Sequence, residues 1–133
     1  MSAPAIVERL RRELTREPGL RLAILFGSRA RGTHRPDSDV DVAVVGEVDS
    51  LRLAGDLSIA LGLEVDVVEL KDPPVVLLEE VLRDGYCVIE REPGAFARCY
   101  SRSLAMLETD RPAFRRMGTA FVERLARHGI LGG

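Results

Sequence analysis

Two valine-rich stretches constrain the fold of this 133-residue chain more than any other feature. They are DVDVAVVG at residues 39–46 and LEVDVVEL at residues 63–70. Both alternate with the period of two that sends successive side chains of a strand to opposite faces. Both are also rich in the β-branched residues that strands favour. We therefore expect two strands, each with an apolar face and a face that carries acidic residues.

Segments of strand and helix character alternate along the chain. The predicted elements, in order, are a helix (2–17), a strand (20–26), a short helix or turn (28–32), a loop (33–38), a strand (39–46), a helix (49–62), a strand (63–70), a helix (73–85), a strand (86–90) and two helical pieces between 93 and 128. This order predicts an α/β (α+β) fold, with a small mixed sheet and helices packed on one of its faces. We expect a single domain over 1–133, with a core over 1–92 and a C-terminal helical extension over 93–133.

Composition narrows the functional classes. The formal net charge of -2 argues against binding duplex nucleic acid through bulk charge. The charged N-terminal segment lacks the apolar block of a signal peptide. No apolar run approaches the roughly 20 residues that a membrane-spanning helix requires. The two cysteines have no metal-binding spacing, so we expect a reduced cytoplasmic protein with no membrane partner.

The basic residues are biased toward arginine. Lys71 is the single lysine among the 19 lysine and arginine residues. Because the guanidinium group forks onto carboxylates and phosphates, this bias fits an anionic ligand. A GC-rich genome produces the same bias, so composition leaves both interpretations open.

The acidic face of the first valine-rich strand is the strongest candidate for chemistry. Asp39 and Asp41 share that face, with Cα atoms about 7 Å apart by the rise of a strand. Burying such a pair without partners costs several kcal/mol per ion, so the face meets either solvent or a cation. If the two strands are neighbours, Asp66 joins the pair. Three carboxylates make an oxygen-ligand set suited to Mg²⁺, and two such ions about 4 Å apart can clamp the oxygens of a phosphoryl displacement.

A Gly-Ser pair follows the predicted strand at 20–26. Gly27 allows a ligand to approach the backbone closely. Ser28 then opens a turn whose backbone N–H groups can hold phosphate oxygens. Arg29 and Arg31 can add charge-assisted contacts to a triphosphate. We therefore expect phosphates at this edge of the site and metal ions at the aspartates.

These residues resemble a known signature. Gly27-Ser28, ten further residues and then Asp39-Val40-Asp41 are similar to the motif of the polymerase-β-like nucleotidyltransferase superfamily. The fuller pattern GSRARG…SDVDVAV and the later EVDVV resemble its minimal nucleotidyltransferase (MNT) subgroup. The resemblance covers residues 20–70 well and the remainder only through the order of elements.

The resemblance implies roles for individual residues. Asp39, Asp41 and Asp66 would bind metal, and Asp66 would also serve as general base for the acceptor hydroxyl. Gly27 and Ser28 would contact the nucleotide phosphates. The implied fold is that of polymerase-β-like nucleotidyltransferases, with two Mg²⁺ ions and ATP as substrate.

The resemblance also implies a partner. MNT proteins often pair with HEPN-domain ribonucleases in prokaryotic toxin–antitoxin modules, where the MNT protein is the antitoxin. It transfers AMP from ATP to a tyrosine hydroxyl of the toxin and releases pyrophosphate. Larger relatives hold their acceptor with a second domain. We expect none here, so the resemblance makes a partner protein the natural supplier of the acceptor.

Three other interpretations compete with this one. Asp39 and Asp41 can simply face water on an edge strand, although the Gly-Ser pair and Asp66 disfavour that. The protein can be an antitoxin that neutralises its partner by binding alone. It can also be a small-molecule adenylyltransferase of the aminoglycoside-modifying type, which the missing second domain disfavours.

Overall fold

The computed structural model describes residues 3–32, 38–71 and 75–108. Its helices and strands, in chain order, are α1 (Ala3–Leu14), β1 (Leu20–Phe26), α2 (Ser28–Arg31), β2 (Val40–Gly46), α3 (Ser50–Leu61), β3 (Val65–Glu69), α4 (Val75–Asp84), β4 (Tyr86–Glu90) and α5 (Ala95–Glu108). Every predicted strand is present, and β1 and β4 have the predicted bounds. The predicted loop at 33–38 lies almost wholly outside the described residues.

The four strands form one mixed sheet in the order β3-β2-β1-β4. β1 pairs antiparallel with both β2 and β4. β2 pairs parallel with β3, and α3 supplies the crossover that a parallel pair requires. The α/β class with a small mixed sheet is therefore confirmed, and the two valine-rich strands are neighbours.

Helices cover both faces of the sheet, so the expectation that they pack on one face was wrong. One apolar cluster joins the sheet to α1 and α3, and includes Leu10, Val42, Leu53 and Val65. The other joins it to α4 and α5, and includes Ile24, Leu78, Phe96 and Tyr100. The cause is β1, which is buried at every position from Leu22 to Phe26 and so has two apolar faces. A strand that is apolar on both faces needs cover on both.

Local signals set the bounds of α3. The side chain of Asp49 accepts a hydrogen bond from the backbone N–H of Arg52, which caps the first turn. Gly62 ends the helix with φ 68°, a left-handed conformation that favours glycine. Between these caps, Leu53 and Leu57 are buried against the sheet. No helix in the described ranges has both the length and the apolar character that a membrane span needs.

The first piece of the predicted C-terminal extension packs into the core. Phe96 and Tyr100 of α5 are buried, with ring centroids 4.7 Å apart. The Tyr100 hydroxyl donates to the backbone carbonyl of Val81 on α4. The second predicted piece lies beyond residue 108, outside the described residues. The assignment of 1–133 to one domain, divided at residue 92, stays a prediction.

The cysteine thiols are expected to be unreactive in the folded protein. Burial raises the pKa of Cys87 to about 12 and also raises the pKa of Cys99. Because the thiolate is the reactive form, we expect neither thiol to react with a disulfide reagent at neutral pH, and both to react in denaturant. Ellman's reagent measures this, and equal rates for native and denatured protein would contradict it.

Candidate active site

The predicted acidic residues lie at one end of the sheet. Asp41 of β2 is the register partner of Asp66 of β3. Neighbouring strands are about 4.8 Å apart, so the two carboxylates start from adjacent positions on one face. Asp39 directly precedes β2 and, two residues before Asp41, belongs to the same face. The alternation of the sequence and the parallel pairing together place the three aspartates at the same end and on the same face of the sheet.

The Asp41 carboxyl lies in surroundings that disfavour its charged form. Burial raises its pKa, and the charges of Asp66, Asp39 and Glu80 raise it further. Among the described residues, Arg31 opposes them by lowering the pKa. The site therefore carries an excess of negative charge, which Arg31 offsets in part. A cation bound there would relieve the repulsion between the carboxylates.

The aspartates are not gathered into a closed cage. In the part of the chain that the structure describes, no three carboxylate, imidazole or thiol groups are close enough to hold a metal ion. Asp41 is half-buried, whereas Asp39 and Asp66 are exposed. Their donors are the oxygens that hard cations prefer, and the two exposed side chains have room to adjust around an ion.

The Gly-Ser turn lies directly beside Asp41. Gly27 has φ 76° and ψ -159°, a region that is essentially restricted to glycine. A Cβ atom at this position would lie 2.5 Å from Oδ2 of Asp41. The carbonyl of Gly27 accepts from the backbone N–H groups of Ala30 and Arg31, each at 3.1 Å, and so starts α2 at Ser28. Gly27 is therefore required by its backbone conformation and by the carboxylate against it.

The sequence of residues 8–94 matches the family described as Polymerase beta, Nucleotidyltransferase. The chain belongs to this family. The match covers α2, the acidic strands and α4, so the site just described lies within it. The resemblance inferred from Gly27-Ser28 and the aspartates is confirmed at the level of the nucleotidyltransferase family.

Individual relatives are similar over different lengths. A stretch of 73 residues is 38% identical to the protein adenylyltransferase MntA of Shewanella oneidensis, covering 51% of this chain and 52% of that protein. The matched stretch thus spans about half the length of this curated relative.

Solved structures match over most of the chain. A chain of a toxin–antitoxin crystal structure with AMP-PNP is 25% identical, with a TM-score of 0.65, and the match covers 95% of this chain and 99% of that one. A structure of a tri-AMPylated Shewanella oneidensis HEPN toxin in complex with MNT antitoxin contains a chain that is 23% identical. Its TM-score is 0.58 over 93% of this chain and 96% of that one, and at this identity it shows the shared nucleotidyltransferase fold.

Arg29 does not occupy the position expected of a phosphate ligand. Its side chain is 1% exposed. Its Nε and Nη2 atoms donate to the backbone carbonyl of Ser38, at 3.3 and 2.9 Å. A buried guanidinium bound in this way stabilises the segment that leads to Asp39 instead of reaching a ligand in solvent. The prediction that Arg29 contacts the nucleotide stays a prediction, and in this structure its side chain binds the segment that leads to Asp39.

Arg31 lies at the surface beside the candidate site, with a side chain that is 40% exposed. Its Nη1 atom donates to Oδ2 of Asp84 at 2.7 Å. Glu80 and Asp84 lie one turn apart on α4, so they share a face of the helix. Glu80 acts on Asp41 through its charge, and Asp84 binds Arg31 directly. Sequence reasoning missed both acidic residues.

A cavity of about 550 Å³ lies apart from the acidic site. Val45 and Leu70 line it, at the far ends of β2 and β3 from Asp41 and Asp66, together with Arg98 of α5. None of the predicted site residues lines this cavity. The candidate active site is therefore the open end of the sheet where Asp39, Asp41 and Asp66 lie.

The raised pKa of Asp41 predicts a pH dependence of stability without metal. The unfolded carboxyl has its ordinary value of 3.8, and the folded value is higher, so the folded state holds the proton more tightly. The contribution of Asp41 to the free energy of unfolding is therefore fully present below its pKa in the unfolded state. It is lost as the pH rises through its pKa in the folded state. Asp41→Asn lacks this loss, so its Tm should exceed that of the unsubstituted protein increasingly as pH rises through this window. Thermal unfolding in chelator tests this, and a difference in Tm that does not vary with pH would contradict it.

Proposed function

We propose that this protein is a Mg²⁺-dependent nucleotidyltransferase that transfers AMP from ATP to a hydroxyl group of a protein partner and thereby acts as an antitoxin. The acceptor we infer is a tyrosine of a HEPN-domain ribonuclease toxin. One observation carries the proposal. Asp41 and Asp66 are register partners on neighbouring strands, and the Asp41 carboxylate lies next to the backbone of Gly27, in a chain of the nucleotidyltransferase family.

The relatives support the nucleotide and the class of acceptor. The 38% identical stretch belongs to a protein adenylyltransferase, an enzyme that modifies protein. A 25% identical chain lies in a toxin–antitoxin structure with AMP-PNP, an analogue of ATP. Together they favour AMP transfer to a toxin over transfer to a small molecule.

The donor set fits Mg²⁺. We propose that Asp39, Asp41 and Asp66 hold it, with two ions in the complete site. Three carboxylates supply hard oxygen donors. Burial and then repulsion from neighbouring carboxylates raise the pKa of Asp41, and a divalent cation would relieve that repulsion. When bound, the metal supplies neutralisation of the triphosphate charge and activation of the attacking oxygen.

Each residue of the site has a defined role in this proposal. Gly27 lets the phosphates approach the backbone, and Ser28 holds them at the turn. Arg31 contributes positive charge to the triphosphate. Asp66 accepts the proton of the acceptor hydroxyl as that oxygen forms a bond to the α-phosphorus. The bond from the α-phosphorus to the bridging oxygen breaks, and pyrophosphate leaves with its electron pair.

Acceptor specificity is tested with the complex that forms in cells. The protein is purified with its natural partner, incubated with ATP and Mg²⁺, and the partner is analysed by intact mass and peptide mapping. We expect added AMP on a tyrosine of the partner. Aminoglycosides serve as competing acceptors, and their modification in place of the partner would support the small-molecule alternative.

Neutralisation by binding alone predicts a different result in cells. If catalysis is required, Asp41→Asn should fail to protect cells that express the toxin, although it still binds the toxin. Full protection by this variant would support the binding-only alternative and would overturn the proposed requirement for AMP transfer.

A further inference from the structure

Asp84 occupies a position that helix chemistry disfavours. It is the last residue of α4, where the partial negative charge of the helix end repels a carboxylate. Its side chain is only 5% exposed, and burying a charge is unfavourable unless it is paired. A contact outside the helix must therefore offset both effects.

That contact is with Arg31, 53 residues away in sequence. Arg31 Nη1 lies 2.7 Å from Asp84 Oδ2, the geometry of a strong charge-assisted hydrogen bond. The neighbouring Arg83 approaches the same oxygen less closely, at 3.3 Å. The short bond joins the end of α4 to α2, the helix that follows the Gly-Ser turn.

Arg31 lies beside the acidic strand ends. Its backbone N–H donates to the carbonyl of Gly27, the residue at which a Cβ atom would lie 2.5 Å from Oδ2 of Asp41. Its charge acts on Asp41, and its side chain is 40% exposed. The Arg31 guanidinium is thus bound to a buried carboxylate and stays partly exposed, close enough to Asp41 for its charge to act there.

We propose that Asp84 is a positioning residue that orients Arg31 toward the nucleotide phosphates. The proposal rests on the proposed function of the site. An exposed arginine loses much side-chain freedom when it binds a ligand, and a bond to Asp84 restricts that freedom beforehand. Because a guanidinium has five N–H donors, a bond to Asp84 does not exhaust its capacity for phosphate oxygens.

The competing interpretation is that Asp84 only neutralises Arg31. In that case Asp84 repels the triphosphate and competes for the guanidinium, so its removal leaves nucleotide binding unchanged or makes it tighter. Positioning predicts weaker binding. The two interpretations therefore differ in the sign of the effect.

Binding of AMP-PNP with Mg²⁺ to the full chain, measured by calorimetry, decides between them. Asp84→Ala should raise Kd about fivefold to tenfold, the order expected for disturbing one charge-assisted hydrogen bond. In an Arg31→Met background, the same substitution should have no further effect, because its action depends on the arginine. Asp84→Asn keeps an acceptor oxygen for Nη1 and should bind more tightly than Asp84→Ala. The Asn variant also carries the test if the Ala variant does not fold.

A surface control and three outcomes complete the experiment. Asp56→Asn removes an exposed carboxylate that pairs with Arg52 on α3, and should leave Kd unchanged. Unchanged or tighter binding by both Asp84 variants would overturn the proposal, as would equal weakening in the Arg31→Met background. Failure of the unsubstituted protein to bind AMP-PNP would instead overturn the proposed function, and this positioning role with it.

Discussion

Asp41→Asn is expected to lower the rate of AMP transfer by about a thousandfold or more while the fold is retained. The substitution keeps the size of the side chain and removes one of the charges that we assign to the metal. Asp41 is the half-buried member of the acidic group and lies between Asp66 and the Gly27 backbone, a position that no other carboxylate in the described ranges occupies. The initial rate of AMP incorporation into the partner, with circular dichroism as a check on folding, measures this effect.

Asp56→Asn is the matched control for this prediction. It makes the same chemical change on α3, which packs on the opposite face of the sheet from Asp41. Its carboxylate forms an exposed pair with Arg52, a kind of contact that contributes little to stability. We expect a normal rate from this variant. A rate for Asp41→Asn within about tenfold of the control would contradict the assignment of Asp41 to the metal site.

Gly27→Ala is expected to reduce stability by about 2–4 kcal/mol and to abolish AMP transfer. Its backbone has φ 76° and ψ -159°, which alanine adopts only with strain. The new Cβ would also lie 2.5 Å from Oδ2 of Asp41, so the carboxylate must leave its position. Denaturant unfolding measures the loss of stability, and the transfer assay measures the loss of activity.

Gly32→Ala separates strain from the clash with Asp41. Gly32 has φ 77° but a left-handed ψ of 12°, and a Cβ there would meet nothing within 4 Å. We expect a loss of about 1–2 kcal/mol with activity retained. In the Gly27→Ala background, Asp41→Ala should recover part of the lost stability because it removes the clashing oxygen. Equal effects of the two glycine substitutions, with no recovery, would contradict close packing of Gly27 against Asp41.

The core of the site could be predicted because it depends on local periodicity. Alternation places Asp39 and Asp41 on one face of β2, and the same rule places Asp66 on the corresponding face of β3. The structure added one further fact, that β2 and β3 are parallel neighbours. The family signature implied that Gly27 contacts phosphates, and the structure adds a separate reason for glycine there, the Asp41 carboxylate that a side chain would strike.

The remainder of the site depends on contacts between distant parts of the chain. Arg29 has the same local pattern as Arg31, yet one is buried against Ser38 and the other is exposed, which spacing alone does not distinguish. Asp84 meets Arg31 only because α4 returns across the sheet. Its place at the end of a helix, where acids are disfavoured, was the one local signal for it.

The measurement that tests the central claim most directly is the fate of each phosphate of ATP. The protein, its natural partner and Mg²⁺ are incubated in parallel with ATP labelled at the α-phosphorus and ATP labelled at the γ-phosphorus. We predict that the α label becomes covalently attached to the partner while the γ label is released in pyrophosphate, and that Asp41→Asn abolishes the attachment. Attachment of the γ label would contradict AMP transfer. Attachment of the α label by Asp41→Asn would contradict transfer at the end of the sheet that carries Asp41.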